Sequence, residues 1–309
     1  MLVTKKVTKT VAKKVLTPKK VFTKFRVRTY SRHPSHRPFR TELPLLPFRA
    51  AIRFGSSTQV ENTVAKGGKI VELNTIQGVR NSASKLLMKE CFQLGNVKTA
   101  DWYIRNNLGQ FIQQLGADEE PKVIPIDKLP YPIIAKSHAG SRGDGNYKLD
   151  TLEALTTWLK THDTRNYIFE RFYNYSREYR LHVTEDGCFY TCRKMLKSDT
   201  PEDQKWHRHD DNCVWIVEEN PQFEKPINWD AIVAECLKAL DALELDICCF
   251  DVKVQGPKNE KGKMRDVCDY IIIESGSAPS MGLITLEKYL KEIPKIATKK
   301  AYEYGVISK

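Results

Sequence analysis

The sequence has no long apolar run, no pair of closely spaced cysteines and almost no acidic side chain in its first 53 residues. No apolar stretch approaches the roughly 18–20 residues that cross a bilayer, and the N-terminus carries lysines instead of an apolar secretory core. The eight cysteines form no C-x-x-C pair, so we interpret them as free thiols in a reducing compartment rather than zinc ligands or disulfides. These absences predict a cytoplasmic protein without a membrane partner.

Positive charge is concentrated at the N-terminus. Residues 1–53 hold 15 lysines and arginines against one acid, whereas residues 54–309 hold 35 basic and 37 acidic side chains. Lysine-rich residues 1–33 are predicted to be a disordered basic arm, and residues 34–49, with four prolines, a stiff linker. We expect residues 1–48 to bind nucleic acid or another polyanion. A mitochondrial transit peptide and a plain solubilising tail are the alternatives.

Apolar periodicity and capping residues outline the remaining secondary structure. Predicted strands lie near 52–55, 69–73, 132–136, 167–172, 179–183, 188–196, 248–254 and 270–274, and predicted helices near 81–95, 150–162, 229–243 and 283–302. In the helix over 81–95, Leu87, Cys91 and Leu94 form one apolar face. This order of elements predicts an α+β body of two packed subdomains.

The most informative segment is a strand–turn–strand pattern over residues 132–149. An apolar strand ends at Lys136, a turn with Gly140, Gly143 and Gly145 follows, and a second strand returns. Glycine lets the backbone approach an oxyanion, consecutive N–H groups form an anion cradle, and a lysine adds a point charge for a phosphate. The pattern therefore indicates a phosphate-binding loop, with an ordinary glycine-rich hairpin as the alternative.

Two carboxylates, Asp251 and Glu274, interrupt or end later apolar strands. A carboxylate on a buried strand is costly unless it holds a cation, and Mg²⁺ with ATP is the usual occupant. We therefore expect both residues to be metal ligands, and ATP and Mg²⁺ to be the cofactors.

These motifs, in this order, resemble the ATP-grasp superfamily over about residues 50–305. They are similar to the compact ATP-grasp proteins of tailed phages, and to glutathione synthetase and the ligase that adds glutamate to a ribosomal protein. The resemblance implies two α/β subdomains clasping ATP, with a short pre-ATP-grasp region over 50–125 and an ATP-grasp domain over 126–309. It also implies the host cytoplasm as the location if the chain is phage-encoded.

The resemblance further implies a role for each member of a set of polar residues. Lys85 and Lys136 correspond to phosphate-binding lysines, and the acidic pair Asp251 and Glu274 to the metal strand. The implied ATP-binding set is completed by the loop residues Ser141, Arg142, Gly143 and Gly145, the adenine hinge residues Glu170, Arg171 and Phe172, and the ribose-binding Glu178. Arg180 and Arg193 are the implied catalytic side chains, which face the acyl substrate or the γ-phosphate and stabilise the intermediate. The family pattern has asparagine where this chain has Gly276.

The expected function is an ATP- and Mg²⁺-dependent ligase that activates a carboxylate as an acyl-phosphate and joins it to an amine, both substrates being unspecified. Two alternatives are open. The first is an ATP-grasp kinase that phosphorylates a hydroxyl group. The second is a non-catalytic nucleotide-binding or virion-associated protein with a polyanion-binding arm, which Gly276 and the basic N-terminus favour.

Overall fold

The computed structural model describes residues 22–29, 38–114, 119–138, 145–209 and 211–308. Within these ranges there are fourteen strands, which form three sheets, and six α-helices. Each sheet packs helices against one face and has its own apolar core. The predicted α+β class is therefore confirmed.

The N-terminal sheet is parallel, with the strand order β1-β2-β3. Its elements are β1 (Arg26–Thr29), β2 (Arg49–Phe54) and β3 (Ile70–Leu73), with the short helix α1 (Phe39–Glu42) and the long C-terminal helix α6 (Leu283–Glu303). Phe39 stacks on Phe54 with ring centroids 4.8 Å apart, and Tyr289 of α6 meets Phe54 edge-on. Because Phe39 is fully buried in this core, the predicted start of the folded body at residue 50 is too late. β1 lies inside the predicted arm, and α1 lies inside the predicted linker.

The six-stranded sheet is antiparallel, with the order β6-β5-β4-β9-β7-β8. Its elements are β4 (Trp102–Arg105), β5 (Phe111–Gln113), β6 (Lys122–Ile124), β7 (Ile133–Ser137), β8 (Asn146–Leu149) and β9 (Tyr167–Arg171), with α4 (Leu152–Trp158) on its core. Sequence patterns located β7, β8 and β9. They missed β4, β5 and β6, which have three or four residues each and no recognised turn pattern beside them, whereas the equally short β8 was located from the glycine turn that precedes it.

The five-stranded sheet is also antiparallel, with the order β12-β11-β10-β13-β14. Its elements are β10 (Arg177–Thr184), β11 (Gly187–Leu196), β12 (Cys213–Val217), β13 (Ile247–Val254), β14 (Tyr270–Gly276) and the covering helix α5 (Trp229–Ala242). Side chains alternate between the two faces of a strand. On β10, Tyr179, Leu181 and Val183 belong to the core that also contains α5. The other face is therefore left for polar residues.

The helix predicted over 81–95 is two helices, α2 (Ile76–Ala83) and α3 (Lys85–Leu94). Between them Ser84 is extended, with φ −105° and ψ 121°, and its hydroxyl caps α3 by accepting a hydrogen bond from the Leu87 amide. The predicted apolar face is not the buried one: Leu94 is 72% exposed, while Met88, Lys89 and Phe92 are buried. Met88 and Phe92 pack in the apolar core beneath α5, and Lys85 and Lys89 form the ion pairs described below, so this face of α3 is the buried one.

Two further expectations can be compared with the structure. All eight cysteines are unpaired, and six of them are buried, which confirms that they are free thiols. None of the helices in the described ranges is long and apolar enough to span a membrane.

Candidate functional site

A cavity lies between the six-stranded and the five-stranded sheets. β7 and β9 line it on one side and β10, β11, β13 and β14 on the other, with further residues from α3 and from 206–208. We refer to it as the cleft. Among the described residues, its charged lining comprises six cations, Lys85, Lys136, Arg171, Lys194, Arg208 and Lys253, and four carboxylates, Glu170, Glu178, Asp251 and Glu274. The cleft thus has a surplus of two positive charges, which suits an anionic ligand.

The alternation of two neighbouring strands explains why polar residues meet in the cleft. On β10, Glu178 and Arg180 alternate with core residues, and on β13, Asp251 and Lys253 do the same. The antiparallel register pairs Arg180 with Asp251 and Glu178 with Lys253. Since directly paired residues project from the same face, the register brings two acids and two bases together on the cleft side.

Glu170 of β9 lies between two lysines. Its Oε2 is 2.6 Å from the Nζ of Lys136, and its Oε1 is 3.0 Å from the Nζ of Lys89, which emerges from α3. Burial opposes ionisation of Glu170, but the two ammonium groups outweigh it and lower the pKa of the carboxyl. Burial also lowers the pKa of Lys89 to about 8, although Glu170 partly opposes this. Glu170 was predicted to belong to the adenine hinge, and its side chain is paired with the phosphate-binding candidate Lys136.

Asp251 is the centre of a second charged cluster. Arg180 donates from Nε and Nη2 to its two oxygens at 2.7 and 2.9 Å, and Lys194 Nζ lies 2.5 Å from Oδ2. Lys194 also lies 3.0 Å from Oε1 of Glu178. Burial opposes ionisation of Asp251, yet Arg180 and Lys194 hold its pKa well below the usual range. The positive charge beside the Asp251 carboxylate is therefore supplied by two side chains, Arg180 and Lys194.

Glu274 and Lys85 lie beside this cluster. Glu274 is the register partner of Asp251 on the neighbouring strand, its side chain is 45% exposed, and its Oε1 is 3.6 Å from Lys85 Nζ. Lys85 is buried at the first position of α3. The structure thus brings the predicted residues Lys85, Lys136, Asp251 and Glu274 to one cavity.

The structure places Arg193 outside the cleft, which contradicts its predicted catalytic position. It is the register partner of Tyr179, whose side chain belongs to the α5 core. Its Nη1 donates to the Gln222 carbonyl oxygen at 2.6 Å and to Oε2 of Glu224 at 2.7 Å. The strand alternation therefore turns Arg193 to the back of the sheet and the next residue, Lys194, into the cleft. Arg180 lies on the cleft side of the sheet, but its guanidinium group is ion-paired with Asp251.

The predicted hinge residues Arg171 and Phe172 both line the cleft. Arg171 extends outward, 3.5 Å from Asp101 and with its guanidinium 5.1 Å from the Tyr173 ring centroid. The Phe172 ring lies 5.0 Å from the Nζ of Lys253. Phe172 thus offers an apolar wall next to a cation.

The glycine loop is described in part. Ser141, Arg142 and Gly143 lie outside the described residues, whereas Gly145 has a φ of +72°. A Cβ at position 145 would lie 2.9 Å from the Ser137 Cβ, and the Gly145 carbonyl accepts a hydrogen bond from the Ser137 amide at 3.0 Å. The turn itself therefore requires glycine at this position.

The donor set does not fit the expected magnesium site. Both oxygens of Asp251 already accept hydrogen bonds from Arg180 and Lys194. Gly276 supplies no side-chain oxygen, and a Cβ there would lie 2.9 Å from Cys249 Sγ. A metal at Asp251 would have to displace two fixed cations.

Three cleft cations, Lys194, Arg208 and Lys253, were not selected from the sequence, and neither was Lys89, which contacts Glu170 from α3. Two of them had a signal in the spacing: Lys89 follows Lys85 by one helical turn, and Lys253 follows Asp251 at strand spacing. Burial lowers the pKa of Lys253 to about 8, with Glu178 partly opposing the shift. Lys194 was recognised only as a neighbour of Arg193.

Comparisons with known proteins yield structural neighbours only. No family model matches the sequence, and no curated protein matches it. D-alanine–D-alanine ligase from Bacillus anthracis complexed with ATP superposes with a TM-score of 0.52 at 16% identity, covering 83% of this chain and 80% of that one. D-alanyl-alanine synthetase A from Vibrio cholerae gives 0.53 at 13% identity, covering 83% and 78%. N5-carboxyaminoimidazole synthetase from Staphylococcus aureus complexed with ADP gives 0.53 at 14% identity, covering 80% and 60%.

These similarities establish the fold. Two sheets with a charged cleft between them, and superposition on ATP-grasp ligases over about four fifths of the chain, identify the architecture. The chain therefore has the ATP-grasp fold, as the sequence resemblance led us to expect.

Proposed function

We propose that the chain binds ATP in the cleft and is an ADP-forming ligase that joins a carboxylate to an amine. The observation that carries this proposal is the surplus of positive charge among the described residues that line the cleft between the two sheets of an ATP-grasp fold. Two of the similar structures are complexes with ATP or ADP, which supports a nucleotide as the anionic ligand.

In this proposal, Lys85 and Lys136 hold the nucleotide phosphates. Both ammonium groups come from buried side chains whose carboxylate partners, Glu274 and Glu170, limit their movement. A fixed charge stabilises a phosphate without the entropy cost of ordering a flexible side chain. Phe172 provides an apolar wall for adenine.

Glu178 is proposed to accept hydrogen bonds from the ribose hydroxyl groups. Its carboxylate is buried and lies 3.0 Å from Lys194. A carboxylate has about four lone-pair sites, so one contact with Lys194 leaves acceptors for a hydroxyl.

The chemical step is proposed to begin with transfer of the terminal phosphoryl group of ATP to a substrate carboxylate oxygen, which releases ADP. An amine nitrogen then attacks the acyl carbon, its proton is lost, and the carbon–oxygen bond to phosphate breaks to give an amide and inorganic phosphate. Lys194 is the cleft cation whose charge would stabilise the negative charge that develops in these steps. Arg180 is a positioning residue that fixes Asp251. No step is assigned to a metal, since the donor set does not fit one.

The test is to incubate the protein with ATP, an amino-acid library and a cell extract, and to identify products by mass spectrometry. A ligase gives ADP, inorganic phosphate and a new amide, and Lys136→Ala abolishes all three. Arg193→Met, on the back of the sheet, is the matched control that keeps them. A phosphorylated hydroxyl product would favour the kinase alternative instead. Nucleotide binding with no turnover would favour the non-catalytic alternative. The ion pair between Arg180 and Asp251 supports that alternative.

Binding of a polyanion by the basic N-terminus is also proposed. The originally predicted span, residues 1–48, includes core residues such as Phe25 and Phe39, so its deletion would damage the fold. Residues 1–21 contain seven lysines and no acid. Deleting them should remove salt-sensitive nucleic-acid binding and preserve nucleotide binding, whereas equal nucleic-acid affinity before and after deletion, at matched salt, would contradict the proposal. The cytoplasmic location stays a prediction.

A further inference from the structure

All four carboxylates of the cleft contact a side-chain cation. The contacts are Glu170 with Lys136 and Lys89, Glu178 with Lys194 and Arg208, Asp251 with Arg180 and Lys194, and Glu274 with Lys85. Glu274 is the one half-exposed member, and its contact with Lys85 is 3.6 Å long. No lining carboxylate is thus left to a metal alone.

Lys194 is the cation of this set that bridges two carboxylates of the cleft lining. Its side chain is 6% exposed, and its Nζ bridges two nearly buried carboxylates, at 2.5 Å from Asp251 and 3.0 Å from Glu178. An ammonium group between two carboxylates has the position and the charge sign of a bound metal ion. It differs in being covalently attached and always present.

A divalent ion on Asp251 would conflict with this arrangement. Magnesium–oxygen distances are about 2.0–2.1 Å, and the Lys194 ammonium is 2.5 Å from the same Oδ2 atom. The two positive charges would therefore lie within about 4.6 Å of each other in a buried site, where repulsion is weakly screened. Arg180 also contacts both oxygens, so three of the roughly four lone-pair sites of the Asp251 carboxylate are engaged.

We infer that the Lys194 ammonium takes the place of a divalent cation in this chain, and that nucleotides bind in the cleft without Mg²⁺. The inference rests on the proposed nucleotide binding. It replaces the sequence-based expectation that Asp251 and Glu274 hold Mg²⁺. Lys194 and Arg180 neutralise Asp251, and the surplus of lining cations neutralises the phosphates.

The first experiment needs no variant. ATP and ADP are titrated into the wild-type protein by calorimetry, in excess MgCl₂ or in EDTA, at the same ionic strength. We expect dissociation constants that agree within about threefold between the two buffers. A loss of affinity of about tenfold or more in EDTA overturns the inference and leaves the proposed nucleotide binding intact.

The second experiment measures metal binding without nucleotide, by electron paramagnetic resonance of added Mn²⁺. Wild-type protein should retain no Mn²⁺, whereas Lys194→Met, which removes the ammonium group between Asp251 and Glu178, should gain a Mn²⁺ site. Lys253→Met is the matched control: it removes a buried cleft lysine that forms no ion pair with any described carboxylate, and it should gain none. Mn²⁺ binding to the wild type would overturn the inference.

The two experiments separate the possible failures. If neither nucleotide binds in either buffer, the proposed function fails, and the Mn²⁺ comparison still decides whether Lys194 excludes a metal. Circular dichroism verifies that Lys194→Met is folded. If that variant does not fold, the wild-type comparison between MgCl₂ and EDTA decides.

Discussion

The adjacent residues Arg193 and Lys194 allow a sharp test of the strand register. Both are cations on β11, but the structure turns Lys194 into the cleft and Arg193 to the back of the sheet. We compare Arg193→Met with Lys194→Met, which remove one positive charge each and retain a long side chain. Only Lys194→Met should weaken nucleotide binding.

The expected magnitudes follow from the contacts. A charge-assisted contact contributes about 1.5–3 kcal/mol, so Lys194→Met should weaken ATP binding roughly 10- to 150-fold. It also leaves the buried Glu178 with Arg208 at 3.9 Å as its nearest cation, and an uncompensated buried charge costs about 3–5 kcal/mol of unfolding free energy. Arg193 pairs with a Glu224 side chain that is 51% exposed, and such pairs contribute about 0–1 kcal/mol.

Calorimetry with ATP and urea denaturation measure the two quantities on the same preparations. Arg193→Met should bind ATP within about twofold of the wild type. If Arg193→Met weakens ATP binding more than Lys194→Met does, the register of β11 or the location of the nucleotide is wrong. The assignment of the cleft as the nucleotide-binding site would then be refuted.

Three further predictions concern single residues. Lys136→Ala should cost about 1.5–3 kcal/mol of nucleotide-binding free energy, measured by calorimetry; a change within error would mean that the adjoining loop is an ordinary hairpin. Burial lowers the pKa of Lys253 to about 8, and a nearby phosphate would raise it on binding, so nucleotide affinity should fall as the pH rises above about 8. Lys253→Arg, which stays protonated, should flatten that pH profile, and an unchanged profile would refute the role. Burial, and then Arg180, lower the pKa of His182 to about 3, below the unfolded value of about 6.5. The contribution of the neutral His182 to stability is therefore present above pH 6.5 and is lost as the pH falls toward 3. Denaturation curves should show a decline of at most about 1.4 kcal/mol per pH unit from this group, and His182→Gln should reduce the decline; an equal acid sensitivity in the variant would exclude His182 as its source.

The stronger sequence patterns predicted much of the scaffold. The strands β7, β9, β10, β11, β13 and β14 and the helices α5 and α6 lie within a few residues of their predicted bounds, because each is long enough to show an apolar period or has clear flanking residues. The short strands β4, β5 and β6 were missed because, unlike the equally short β8, they have no recognised turn pattern beside them. The break at Ser84 was missed because a serine inside a helical pattern is compatible with either a continuous helix or a new N-cap.

The sequence by itself also selected the kinds of residue in the site. A lysine at the end of an apolar strand and acids on apolar strands are unusual enough to indicate a charged cavity, and eight of the predicted residues line one cleft. Tertiary structure decided which charges meet. The register of β10 with β13 pairs Arg180 with Asp251, and α3 brings Lys89 to Glu170 across the sheet.

Only the tertiary structure separated Arg193 from Lys194. The two residues carry the same charge one position apart, so composition and motif treat them alike, while strand alternation places them on opposite faces. Which face is inside depends on the packing of α5 against Tyr179 and its neighbours, a contact between segments about fifty residues apart. A pattern read along the chain shows that a strand has two faces; the partner that packs on one of them determines which face holds the site.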